Sequence, residues 1–150
     1  MFKIISKVLL CFSILMCLCG CGSGNPYVSY SYSVETGDSI KVKLDTSDGY
    51  SLSSELPFTI TCNVDTLSQG TFILADAYEQ YVTVVEEDDK ANLLDSGEND
   101  NIKYIFWSYN ETEYNYAILI KDSNTGVVLA NAVSEESAKE CFKRLEFELE

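Results

Sequence analysis

Apolar and polar positions alternate with period two through much of this chain. Val28, Tyr30, Tyr32 and Val34 share one parity, and Ser29, Ser31 and Ser33 the other. That pattern predicts a half-buried or edge strand, the competing reading being a disordered extension of the segment before it. Ile40, Val42 and Leu44 alternate with Lys41, Lys43 and Asp45, a second strand. Asp45 to Gly49 is a turn by composition. Tyr50 to Ser53 is a short extended piece, and Pro57 can sit only on an edge strand or at the start of the next strand. Phe58, Ile60 and Cys62 then face one way, with Thr59, Thr61 and Asn63 opposite. Gly70 opens another strand that runs through Ala75.

From Asp76 to Glu87 two periodicities compete. Tyr78, Tyr81, Val82 and Val85 sit at helical spacing and predict a helix, whereas the β-branched run Val82-Thr83-Val84-Val85 favours a strand. Asp88 to Asn101 is polar and acidic, with one helical turn expected at Ala91-Asn92-Leu93-Leu94. Ile102 to Tyr109 is apolar on both parities, as in a central strand buried on two faces. Asn110 to Glu113 forms a four-residue hairpin loop, Tyr114 to Lys121 the partner strand, Asp122 to Gly126 a turn, and Val127 to Ala132 the return. Ser134 caps a helix from Glu135 to about Leu145, acidic at its start and basic near its end, with Ala138, Cys141, Phe142 and Leu145 as its apolar stripe. The expected class is α+β: an antiparallel sheet with one or two packed helices, in which a C-terminal meander precedes the last helix.

The first residues follow another logic. Lys3 and Lys7 precede an apolar run from Val8 to Leu18, about half the length needed to cross a bilayer. This is the charged and apolar architecture of an export signal. The run ends in Leu18-Cys19-Gly20-Cys21, which resembles the lipobox of bacterial lipoproteins: Leu18, Gly20 and Cys21 match it, and Cys19 is a less usual small residue. The resemblance implies cleavage after Gly20, a diacylglyceryl thioether on Cys21, often a fatty amide on the new N-terminus, and an extracytoplasmic domain held to the cell membrane by lipid. The alternative is an ordinary cleaved signal with free secretion. Residues 1–20 are then the signal peptide, 21–36 the lipidated cysteine with a tether that includes the edge strand, and 37–150 a single domain. The clustered Cys11, Cys17, Cys19 and Cys21 cannot serve as a metal site under this reading, because three leave with the signal and the fourth carries lipid.

Charge and composition narrow the function. Without Lys3 and Lys7 the chain keeps 8 basic residues against 24 acidic ones, about −16. Such a surface repels phosphate backbones, so no nucleic-acid partner is expected, and anionic headgroups repel it too. The sequence contains no histidine, which removes Ser-His-Asp and Cys-His catalysis and imidazole ligation. No phosphate loop, nucleophile elbow or Cys-x-x-Cys of the mature chain is present, and neither a cofactor nor a metal is expected.

Four constellations invite chemistry. Asp88, Asp89, Asp95, Glu98 and Asp100 could offer oxygen to calcium, but an EF-hand register from Asp95 places Phe106 where a bidentate Glu is required, and a solvated acidic loop is the simpler reading. Tyr104, Trp107, Tyr109, Tyr114 and Tyr116 could form an aromatic platform for a glycan or peptide, or divide between core and cross-strand pairs. Asn110-Glu111-Thr112 matches a glycosylation sequon and reads as a hairpin loop. Cys62 and Cys141 are the cysteines besides the anchor. A disulfide between them would close a loop of about 80 residues, stabilising by roughly 4.5 kcal/mol. Both positions suit a small buried apolar residue, so two buried free thiols are expected.

The order of elements is similar to the PsbP/Mog1-like fold. Gly49-Tyr50-Ser51-Leu52 leading to Leu56-Pro57-Phe58, then Gly70-Thr71-Phe72-Ile73, then a three-stranded meander before the helix and Leu145-Glu146-Phe147 carry the likeness. It implies an antiparallel sheet with packed helices and partner binding, and no shared catalytic residues. The leading functional expectation is a non-enzymatic binding module of the cell envelope. The rivals are a carboxylate-based envelope hydrolase and a solute-capturing lipoprotein.

Overall fold

The computed structural model describes residues 26–150. The signal segment, Cys21 and residues 22–25 of the tether lie outside the described residues. In chain order the elements are β1 (Tyr27–Ser33), β2 (Ser39–Asp45), a 3-10 turn (Ser47–Gly49), β3 (Tyr50–Leu52), β4 (Phe58–Cys62), β5 (Asp65–Leu74), α1 (Ala75–Glu87), β6 (Ala91–Glu98), β7 (Ile102–Tyr109), β8 (Glu113–Ile120), β9 (Thr125–Asn131), α2 (Glu135–Lys143) and β10 (Leu145–Leu149). The class is α+β and every strand pairing is antiparallel.

The strands form two sheets rather than one. A three-stranded sheet runs β1-β2-β10, and a seven-stranded sheet runs β3-β4-β5-β9-β8-β7-β6. The split follows from the last residues. Leu145 and Phe147 lie opposite Leu44 and Val42, so β10 extends the buried face that β2 already presents. Ile40, Val42 and Leu44 are fully buried there, against Phe58, Ile60, Phe106, Tyr116 and Ile118 of the larger sheet. The Tyr32 hydroxyl donates to the Ser53 carbonyl at 2.8 Å and ties β1 across to the loop after β3.

The larger sheet is buried on both faces at its centre. Its other face holds Ile105, Trp107 and Ala117 against Tyr78 and Val85 of α1. This explains why β7 is apolar on both parities. It also decides the ambiguous segment: Tyr78 and Val85 are two helical turns apart and reach the same sheet face, which outweighs the strand preference of the valine run.

Four boundaries depart from expectation. Ala91–Leu94 is not a helical turn but the start of β6, which pairs with β7 across a bulge between Leu93 and Asp95. Four residues are too few to nucleate a helix, and the outer backbone groups of β7 need partners. β5 begins at Asp65, not Gly70, because β4 supplies a ladder to its polar first half. The β7–β8 loop holds three residues, Asn110–Thr112, since Tyr109 pairs with Glu113. Leu145 leaves the helix stripe and opens β10. Ser134 does cap α2, accepting the Ser137 N–H at 3.0 Å. Neither helix is long and apolar enough to cross a membrane.

Candidate functional site

The five aromatic candidates do not share a surface. Alternation on paired β7 and β8 sends Tyr104, Tyr114 and Tyr116 to the face covered by α2, and Trp107 and Tyr109 to the face that carries α1. Tyr116 stacks between Phe106 and Phe142, with ring centroids 4.2 and 4.0 Å away. Trp107 packs on Tyr81 at 5.8 Å. Both are core residues, which favours the division between core and cross-strand pairs over a shared platform.

The acidic residues are likewise dispersed. Asp88 Oδ1 accepts the Lys90 N–H, and Asp95 Oδ1 accepts the Ser96 N–H, at 2.9 and 2.8 Å. Asp95 Oδ2 accepts the Tyr104 hydroxyl at 3.2 Å. Glu98 meets Lys121 at 2.8 Å, and that hydrogen bond, with the lysine's charge, holds its carboxyl below the usual range. Asp89 and Asp100 are exposed. Among the described residues no three Asp, Glu or Cys groups converge as a metal site. Asn110 and Glu111 occupy left-handed turn positions, φ 51° and 58°, in the hairpin loop.

Neither cysteine is bonded. Cys141 is fully buried on α2, and burial pushes its thiol pKa up, against a hydrogen bond from Ser68 that lowers it. Cys62 is only half-buried, not buried as expected, because it ends β4 beside the 3-10 turn, where its Sγ donates to the Asp48 carbonyl at 3.6 Å. Thiolate chemistry needs a low pKa and access, and Cys141 has neither. Titration of the denatured, unreduced mature chain, whose Cys21 sulfur is a thioether under the lipobox reading, is expected to count two thiols. In the native chain Cys62 should react at least tenfold faster than Cys141. A count of zero before reductant would contradict the structure.

Two of the surface concavities bear on function. One, of about 380 Å³, lies between α1 and β6–β7, walled by Tyr78, Val82, Val85, Leu93 and Ile105, with Glu79, Glu86 and Glu98 at its rim. All three glutamates are exposed. A glycosidase-type pair needs an acid whose pKa is raised, and Glu98 is shifted the other way. The other, of about 500 Å³, is a groove walled by Val34 and Thr36 of the β1–β2 turn, Leu56 and Pro57 of the β3–β4 loop, and Phe72, Ile73 and Leu74 of β5. Its floor is Phe72, packed on Tyr32 and Phe58 at 5.6 and 5.8 Å. Leu56 and Leu74 leave 49% and 62% of their surface exposed at its rim.

A polar clasp joins two turns beside the groove. Asp38 Oδ2 accepts the Thr125 hydroxyl at 2.7 Å and the Asn124 N–H at 2.8 Å, joining the β1–β2 turn to the β8–β9 turn. Thr36 and Thr125 share a further hydroxyl bond at 2.6 Å. The groove thus draws on two loops and the end of β5, far apart in sequence, a juxtaposition that local patterning does not reveal. No protein-family model matches this chain, and no curated protein is found to be similar to it.

Proposed function

We propose that this chain is a membrane-anchored extracytoplasmic lipoprotein whose folded domain is a non-enzymatic binding module of the cell envelope. The anchor rests on Leu18-Cys19-Gly20-Cys21 after the short apolar run. Two or three acyl chains would hold the domain stably where one would not. The likeness to the PsbP/Mog1-like fold is part of the same proposal, supported by the β7-β8-β9 meander that precedes α2 and β10.

The observation that carries the binding reading is the position of the groove. Tyr27 lies at the Cys21 end of β1, and Val34 to Thr36 lie past its other end. Seven strand residues separate the two ends by roughly 20 Å. A domain tethered at Cys21 would therefore hold the exposed Leu56 and Leu74 about that far from its own anchor. Apolar side chains set beside a polar clasp suit a protein or envelope-polymer surface better than a small solute.

Capture from intact envelope by the full chain tests this. The wild-type chain is expected to retain a reproducible envelope component, and Leu74→Asp to lose at least nine-tenths of it. Leu74 is exposed, so the substitution leaves the core untouched. Equal capture by both chains would remove the groove from the proposal.

A further inference from the structure

The two sheets have four open edges, and three are blunted. β3 has only three residues. β6 is bulged between Leu93 and Asp95 and displays Asp95 and Glu98. β10 displays Glu146 and Glu148, with Glu150 just beyond it. Short strands, bulges and charges are the ordinary protections against strand-to-strand association. β1 has none of them. Its seven residues, Tyr-Val-Ser-Tyr-Ser-Tyr-Ser, contain no charge, proline or glycine, and their register with β2 is unbroken.

The outward-facing groups follow from the ladder. The Val34 N–H donates to the Asp38 carbonyl, and the Thr46 N–H donates to the Pro26 carbonyl. Both bonds continue the β1–β2 register, so the even-numbered residues of β1 bond to β2. The N–H and C=O groups of Tyr27, Ser29, Ser31 and Ser33 therefore point to the open side. No strand lies there among the described residues.

We propose that this edge is where two copies of the chain pair, β1 against β1 and antiparallel, joining both three-stranded sheets into one. A two-fold axis through Tyr30 sets Ser29 opposite Ser31, Val28 opposite Tyr32, and Tyr27 opposite Ser33. Every outward residue then meets an outward residue, giving about eight main-chain hydrogen bonds. The charge pattern leaves this edge, and not β10, open to a second copy. Lys41 and Lys43 of β2 stand one strand in and already meet Glu148 and Glu146, at 3.8 and 3.3 Å. The glutamate rows of the two copies would be five strand spacings apart, roughly 24 Å or three Debye lengths. Pairing through β10 would instead bring those rows into contact.

Site-directed crosslinking of the full chain in its own membrane tests the register. One copy carries Ser29→Cys and a co-expressed copy carries Ser31→Cys. Opposed α-carbons in such a pair lie about 5.5 Å apart, within disulfide reach. Mild oxidation is expected to link the mixed pair at least tenfold more than two copies carrying Glu148→Cys. Sedimentation of the detergent-extracted full chain gives a second readout. The wild type should run as a dimer. Ser31→Pro should weaken the dimer at least tenfold with the unfolding midpoint nearly unchanged, because the Ser31 N–H takes no part in the β1–β2 ladder. A monomeric wild type, a dimer that persists in Ser31→Pro, or a different protein's strand held at β1 would each overturn the proposal.

Discussion

Replacing Gly70 with alanine is expected to destabilise the domain by about 3 kcal/mol, the upper end of the range for overpacking a core. Gly70 lies opposite Phe58 on paired β5 and β4, and the phenyl ring lies directly over it. A methyl group at Gly70 would sit 2.0 Å from the ring's Cζ. The ring has no room to retreat. It is fully buried, with Tyr32 and Phe72 at 6.1 and 5.8 Å on its other sides. Because the clash is with one side chain, Phe58→Leu in the same chain should recover part of the loss, a coupling that a double-mutant cycle isolates. Urea unfolding measures both. A Gly70→Ala cost below about 1 kcal/mol would show that the ring does not sit there.

Asn131→Ala is expected to cost about as much, near 3 kcal/mol, through polar groups left without partners. Asn131 is buried at the end of β9. Its amide donates to Ser68 Oγ at 2.9 Å and to Ser137 Oγ at 3.0 Å. Its carbonyl accepts the Val133 and Ser134 N–H groups at 2.9 and 3.2 Å. One side chain thus shapes the β9–α2 turn, positions the cap of α2 and bridges to β5. Alanine abandons all four contacts, whereas Ser137→Ala removes one and should cost only about 1 kcal/mol. Equal stability of Asn131→Ala and wild type would mean that water replaces the amide without loss.

The elements legible in the sequence are those whose burial imprints a period. β1 and β2 alternate because each has one covered face, β7 is apolar throughout because both faces are covered, and α2 shows a cap, a charge gradient and an apolar stripe. β6 was illegible because an edge strand with mostly exposed side chains has no hydrophobic period, and its bulge breaks what remains. The first half of β5 is polar for a similar reason. β10 did carry a signal: Leu145-Glu146-Phe147-Glu148-Leu149 alternates cleanly, and only its nearness to α2 hid a separate strand. The fate of the tyrosines and Trp107 depended on which layers cover the larger sheet, a tertiary fact. The groove lies further still from local pattern, since Val34, Leu56 and Leu74 meet only when two loops converge on the end of β5.

Membrane attachment through Cys21 is the claim on which the functional proposal depends, and the mass of the mature N-terminal peptide tests it most directly. Lipobox processing predicts a chain that begins at residue 21, with a diacylglyceryl thioether on Cys21, found in the membrane fraction. An unmodified Cys21, or a chain that begins at any other residue, would contradict it.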